Sequence, residues 1–107
     1  MSARFYLKEG VQLCLLDPRV EKAIPTICAV WERLTGVPPT ITSARDGTHS
    51  PNSLHYEGRA LDFRTHGLNR SQLLELRAEL KEALGPDWDV VIESTHLHLE
   101  LDRRADV

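Results

Sequence analysis

The strictest constraint on the fold lies near the end of the chain, where apolar and polar residues alternate. Over residues 96–101, three leucines alternate with His96, His98 and Glu100. Successive side chains of a β-strand point to opposite faces, so one face of this segment is apolar and the other carries two imidazoles and a carboxylate. A second apolar run, at residues 88–92, is separated from the first by a three-residue polar stretch. The pattern predicts an antiparallel hairpin with one polar face.

Apolar residues at helical spacing predict two helices. The first should run from about Pro18 to Thr35, capped by Asp17 at its start and ended by Gly36. Pro25 lies inside this segment, and we expect it to kink the helix or split it in two. The second helix should run from about Ser71 to Leu84.

Two further strands complete the predicted elements, at residues 37–42 and 59–64, with a polar loop at residues 44–56 between them. The last residues, 103–107, are expected to fray. A chain of this length forms one domain, residues 1–107, with a modest core. We therefore expect an α+β fold in which two helices pack on a small antiparallel sheet.

Composition narrows the range of partners. The formal net charge is -3, and charged residues make up 27% of the chain. Binding to phosphate groups requires a positive field, so this balance argues against a nucleic acid or an anionic membrane. The sequence has neither the apolar stretch of a signal peptide nor the run of about 20 apolar residues that spans a bilayer. We expect a monomeric protein made in the cytosol.

Histidines and acidic residues suggest a zinc site. Zinc accepts imidazole nitrogen and carboxylate oxygen, and a hydrolytic site keeps about three protein ligands so that water can bind as well. His55, Asp62 and one of His96 and His98 supply that number. Glu93 could take a proton from metal-bound water. Metal and base together favour a hydrolase.

The same residues carry a resemblance to known families. Residues 53–62 match the Ser-x-His-x-x-Gly-x-Ala-x-Asp pattern of the M15 zinc peptidases, which include D-Ala-D-Ala carboxypeptidases and phage L-alanyl-D-glutamate endopeptidases. This stretch, with His49-Ser50 before it and Asp87-Trp88 and Glu93-Ser94 after it, also resembles the zinc-bearing N-terminal signalling domain of hedgehog proteins, which shares that fold. The resemblance covers about residues 20–101.

The resemblance implies a role for each matching residue. In many M15 enzymes the base lies three residues before the ligand histidine, which would pair Glu93 with His96, whereas hedgehog-like domains use the second histidine. We prefer His98 as the third ligand. His49 is the remaining loop histidine that we expect to touch substrate. The implied set is zinc on His55, Asp62 and His98, Glu93 as base, His96 steadying substrate or oxyanion, and Arg45 and Ser53 holding substrate.

Two functions follow from the resemblance. The first is zinc-dependent hydrolysis of a peptide bond in the peptidoglycan stem, by a carboxypeptidase or an endopeptidase released in phage lysis or carried on a phage particle. The second is a hedgehog-like binding module that retains zinc without peptidase activity. Arg45 favours the enzyme, because the matching hedgehog region lacks this arginine. A closed zinc site, with both strand histidines as ligands, would leave no place for water.

Overall fold

The computed structural model of the protein describes residues 4–107. Within this range a five-stranded sheet is packed by two helices, which confirms the predicted α+β fold. No helix in the described part of the chain combines the length and apolar composition that a membrane span requires. The strands are β1 (Tyr6–Leu7), β2 (Thr40–Ser43), β3 (Ala60–Arg64), β4 (Trp88–Ile92) and β5 (His96–Leu101), and the helices are α1 (Pro18–Thr35) and α2 (Arg70–Leu84).

The sheet brings distant parts of the sequence side by side. Its strand order is β1-β2-β3-β5-β4, with β1 and β2 parallel and the other neighbouring strands antiparallel. In the pairing of β3 with β5, Asp62 lies directly opposite His98, and Arg64 lies opposite His96. Side chains that face each other across antiparallel strands lie within interaction distance. The register therefore decides which histidine meets Asp62 most closely.

Helix α1 has the bounds that its sequence predicts. The Asp17 side chain accepts a hydrogen bond from the backbone NH of Arg19, and Gly36 ends the helix in the left-handed conformation, at φ 81°. The helix is continuous through Pro25, so the expected split does not occur. Proline has no backbone NH, so it removes one hydrogen bond from the helix. Pro25 lies on the exposed side of α1, where water can bind the freed carbonyl.

One face of the sheet forms the core with both helices. The rings of Trp31 from α1 and Phe63 from β3 pack with their centroids 5.4 Å apart. Because Leu97, Leu99 and Leu101 are buried in this core, the alternate residues of β5 project from the opposite face. The fully or almost fully buried apolar side chains include Val20, Ile27, Ile41, Leu61, Phe63, Leu76, Leu80, Leu97, Leu99 and Leu101.

The end of the chain is ordered, contrary to the prediction that it frays. Residues Arg103–Asp106 form a short 3-10 helix, held by the buried guanidinium of Arg59. This group donates hydrogen bonds to the carbonyls of Leu101 and Asp102, at 3.0 and 2.9 Å, and to the carboxylate of Asp106, at 2.8 Å. A buried charge requires such partners, and these satisfy it.

Asp17 gives a test of how charge stabilises the start of α1. The hydrogen bond from the Arg19 side chain lowers the pKa of Asp17 to about 2. Asparagine caps helices as well as aspartate does, so Asp17→Asn removes the charge and keeps the cap. We expect a Tm lower by about 2–5 °C at neutral pH.

The pH dependence of that difference follows from the pKa. A carboxyl whose pKa is lower in the folded state contributes its full stability above about pH 4 and loses it as the pH falls through about 2. Thermal unfolding of both proteins between pH 2 and pH 7 checks this. A Tm difference that stays constant over the whole range would show that the charge is not its cause.

Candidate metal centre

Three predicted ligands come together on the polar face of the sheet. The donor atoms of His55, Asp62 and His98 all lie within 4.8 Å of one another. One carboxylate oxygen of Asp62 lies 3.2 Å from Nε2 of His55 and 2.9 Å from Nδ1 of His98. His55 is 2% exposed and Asp62 is 6% exposed. A buried carboxylate thus lies between two imidazoles.

A tight turn delivers His55 to this position. Residues Leu54–Glu57 form a short 3-10 helix, and the Ser53 hydroxyl caps it by accepting a hydrogen bond from the backbone NH of His55, at 3.2 Å. Gly58 ends the turn at φ 71°, a conformation that glycine adopts without strain. The chain then enters β3, which carries Asp62. The residues that match the Ser-x-His-x-x-Gly-x-Ala-x-Asp pattern therefore form a turn followed by a strand.

Hydrogen bonds orient the rings of His55 and His98. They are made by the outer nitrogen of each ring, the one that faces away from Asp62. Nδ1 of His55 lies 2.7 Å from the carbonyl oxygen of Ala44, and Nε2 of His98 lies 2.7 Å from a carboxylate oxygen of Glu100. These oxygens only accept, so each outer nitrogen donates a hydrogen bond to its partner. The inner nitrogens, Nε2 of His55 and Nδ1 of His98, face the carboxylate of Asp62, which also only accepts, so either a proton or a metal ion belongs between them and the carboxylate. With a metal ion in that place, the protons of both rings lie on the outer nitrogens, the pattern typical of histidines that bind metal.

The charges in the cluster are strongly coupled. Burial raises the pKa of Asp62, but hydrogen bonds from His55 and His98 outweigh it and hold that pKa well below its usual range. Burial lowers the pKa of His98, but hydrogen bonds to Asp62 and Glu100 outweigh it and raise that pKa above its usual value. The cluster therefore favours a positive charge, on a proton or on another cation, next to the carboxylate of Asp62.

His96 lies at the edge of the cluster. Its Nε2 is 3.7 Å from the second carboxylate oxygen of Asp62, and its Nδ1 is 3.2 Å from the hydroxyl of Thr95. His98 lies nearer, because it stands opposite Asp62 in the strand register. Both histidines thus face the carboxylate, and the closest group of three donors contains His98.

Two residues predicted to act in hydrolysis make no polar side-chain contact with the cluster in the described part of the chain. Glu93 is exposed in the turn between β4 and β5, where its backbone NH donates to the carbonyl of His96, at 2.8 Å. Arg45 is partly buried in the loop after β2, and its backbone NH donates to the carbonyl of Gln12, at 3.3 Å. Within residues 4–107, neither side chain forms a hydrogen bond or an ion pair.

His49 packs directly against the cluster. Its ring stacks on that of His55, with centroids 4.0 Å apart and planes 10° apart. Its Nε2 lies 2.9 Å from the carbonyl oxygen of Asp46 and 3.2 Å from the hydroxyl of Ser43. The Tyr56 hydroxyl holds the backbone of His49, because it accepts a hydrogen bond from the NH of His49 and donates one to its carbonyl. His49 therefore forms a wall beside His55.

The sequence interpretation did not assign a role to Glu100 or to Ala44. Glu100 could have been found, because its spacing of two residues from His98 puts both on the same face of β5. Ala44 contributes through its backbone carbonyl, which no side-chain pattern reveals.

A polar groove of about 430 Å³ opens beside the cluster. The loop before β3 forms one wall, and β5 with the residues after it forms the other. Groups of both charge signs line the groove. The lining residues are Ser50, Asn52, Ser53, Leu54, His98, Glu100, Asp102 and Arg103.

Comparison with known proteins identifies the family. Residues 15–100 match the model of the hedgehog amino-terminal signalling domain. The chain is 38% identical to the Indian hedgehog protein of Gallus gallus over 72 residues, which are 65% of this chain and 17% of that protein. It is 43% identical to the Indian hedgehog B protein of Danio rerio over 53 residues, 50% of this chain and 13% of the relative. The Sonic hedgehog protein of Xenopus laevis is 38% identical over 72 residues, 65% of this chain and 16% of the relative.

These matches correct several predictions. They confirm the hedgehog part of the resemblance and give no support to the M15 part. The prediction of a peptidoglycan zinc peptidase is wrong, and so are the stem-peptide partner and the cytosolic, phage-borne enzyme acting on cell wall, because the matched family is a signalling domain. The argument from Arg45 fails because one loop arginine does not separate two families that share a metal-site motif. The chain belongs to the family of hedgehog amino-terminal signalling domains.

Proposed function

We propose that this chain is a zinc-binding recognition domain that acts by binding a protein partner. The observation that carries the proposal is the set of inner donor atoms on His55, Asp62 and His98, which converge within 4.8 Å while hydrogen bonds hold the outer nitrogens of both rings. Two imidazoles and one carboxylate are a common ligand set for zinc. The donors fit that ion, and the motif resemblance to zinc-bearing hedgehog domains agrees.

Zinc in this position supplies a cross-link. His55 belongs to the loop before β3, Asp62 belongs to β3, and His98 belongs to β5. The loop and β5 are also the two walls of the polar groove. A metal held by these three residues fixes the walls relative to each other and stabilises the shape that a partner recognises.

The groove suits a polar protein surface. Glu100 and Asp102 contribute negative charge to its lining, and Arg103 contributes positive charge. A net charge of -3 argues against nucleic acid as the partner. The aligned segments span less than a fifth of these hedgehog proteins, and the chemistry of this face supports a polar protein surface as the partner.

Zinc binding is the first test. We expect the purified chain to hold about one zinc ion, measured by mass spectrometry of the metal or by calorimetry. Removing it with a chelator should lower the Tm by about 10–20 °C relative to protein kept at a free zinc concentration about 100-fold above Kd. His55→Ala and Asp62→Ala should bind no zinc and show no Tm change on chelation. A wild-type Tm that does not respond to chelation would contradict the proposal.

Recognition by the groove has its own test. A photo-crosslinking residue placed at Asn52, in the groove, should capture a protein partner when zinc is bound, whereas one placed at Glu82, exposed on α2, should not. The Asn52 crosslink should disappear in an Asp62→Ala background, and the captured protein should then bind the unmodified domain when both are purified. Equal capture from the two positions would argue against the groove.

A further inference from the structure

We infer that Glu100 is a positioning residue for the metal, since it fixes the proton of His98 on Nε2 and leaves Nδ1 free to bind. The inference rests on the proposed zinc function and names a residue outside the predicted ligand set. Its basis is the 2.7 Å contact between Nε2 of His98 and a carboxylate oxygen of Glu100.

The strand geometry makes this contact possible. Glu100 lies two residues after His98 on β5, so both side chains project from the same face of the sheet. On β3 the residue opposite Glu100 is Ala60, whose methyl side chain offers no competing polar group. Both members of the pair are partly shielded, with side-chain exposures of 18% for His98 and 23% for Glu100.

The hydrogen bond between His98 and Glu100 has a fixed donor and a fixed acceptor. A neutral imidazole carries one proton, and an ionised carboxylate can only accept a hydrogen bond. The contact with Glu100 therefore favours the tautomer with the proton on Nε2. Nδ1 lies 2.9 Å from a carboxylate oxygen of Asp62, which also only accepts, so a metal ion bound by both atoms takes the place of a proton on Nδ1. Without Glu100, the tautomer that keeps its proton on Nδ1 and donates it to Asp62 competes, and that tautomer has no lone pair there for a metal.

Neighbouring acidic groups do not share this role. Asp89 and Asp102 lie close to Glu100, but both pair with the guanidinium of Arg104, at 2.9 and 3.2 Å. Glu100 has its hydrogen bond to His98 instead. The three carboxylates thus divide between a surface ion pair and the metal cluster.

Zinc affinity measured by competition with a chelator tests the inference. We expect Glu100→Ala to weaken zinc binding by about 10- to 100-fold, the usual effect of removing a group that orients a ligand histidine. Glu100→Gln should recover part of the loss, because its amide oxygen still accepts from Nε2. Glu82→Ala, which removes an exposed carboxylate from α2, should bind zinc like the wild type.

Nitrogen NMR of the ring separates positioning from general stability. In the zinc-loaded wild type, Nε2 of His98 should carry a proton protected from exchange with water, and Glu100→Ala should lose this protection while its folded spectrum remains. Wild-type affinity in Glu100→Ala and Glu100→Gln would overturn the inference and leave the zinc site intact. A wild-type protein that binds no zinc would instead overturn the proposed function and this inference with it.

Discussion

His98→Ala is expected to abolish zinc binding, whereas His96→Ala should keep the metal. His98 stands opposite Asp62, with Nδ1 only 2.9 Å from its carboxylate, while Nε2 of His96 lies 3.7 Å away and outside the closest group of three donors. Structural zinc sites contribute about 10–16 kcal/mol of binding free energy, so losing one of three ligands should weaken binding by at least about 1000-fold.

The matched measurements are zinc content and competition with a chelator for both variants. We expect the affinity of His96→Ala to stay within about tenfold of the wild type, as for a residue near the metal that is not a ligand. His66→Ala is the control for the loss of any histidine, since His66 is exposed between β3 and α2. Zinc lost in His96→Ala and kept in His98→Ala would assign the third ligand to His96.

Gly58→Ala should destabilise the fold by about 2–4 kcal/mol. Gly58 has φ 71°, which costs a residue with a side chain about 1 kcal/mol or more. A Cβ atom at this position would also lie 2.5 Å from the carbonyl oxygen of Leu15 and 2.9 Å from Cα of Leu16. Both are backbone atoms, so relief requires a shift of the chain before α1, which adds to the cost.

Gly67→Ala is the matched control for this prediction. Gly67 has φ 87°, but no atom lies within 4 Å of the Cβ position, so this variant should lose only about 1 kcal/mol. Chemical denaturation of both variants measures the difference. Because Gly58 directly follows the turn that carries His55, Gly58→Ala should also bind zinc more weakly. Equal destabilisation in the two variants would show that the contact with residues 15–16 is unimportant.

The elements with clear periodicity could be predicted from the sequence. The bounds of α1, β4 and β5 follow from helical spacing or strict alternation, and the structure has them at the predicted residues. Strand β1 was not predicted, because two residues carry no period. The order of the last residues was missed as well, since it depends on hydrogen bonds from Arg59, more than 40 positions away in the chain.

The site was predicted in part, and its function was not. The turn motif predicted that His55 and Asp62 lie close together, because only a few residues separate them in the sequence. The contact of His98 with Glu100 depends on side-chain orientation within a folded sheet, which the sequence alone does not supply. The peptidase hypothesis failed for a different reason: a metal-ligand motif specifies which atoms can hold an ion, and the same atoms serve in an enzyme or in a recognition domain.

The pairing of β3 with β5 has a consequence for how the hairpin finds its alignment. A slip of two residues that set Glu100 opposite Asp62 would still place Leu99 and Leu101 opposite Phe63 and Leu61. Burial of leucine therefore distinguishes poorly between these alignments, although a slip of one residue would be rejected. A cation shared by His55, Asp62 and His98 would be bound in only one of them, so zinc would select the correct strand alignment during folding.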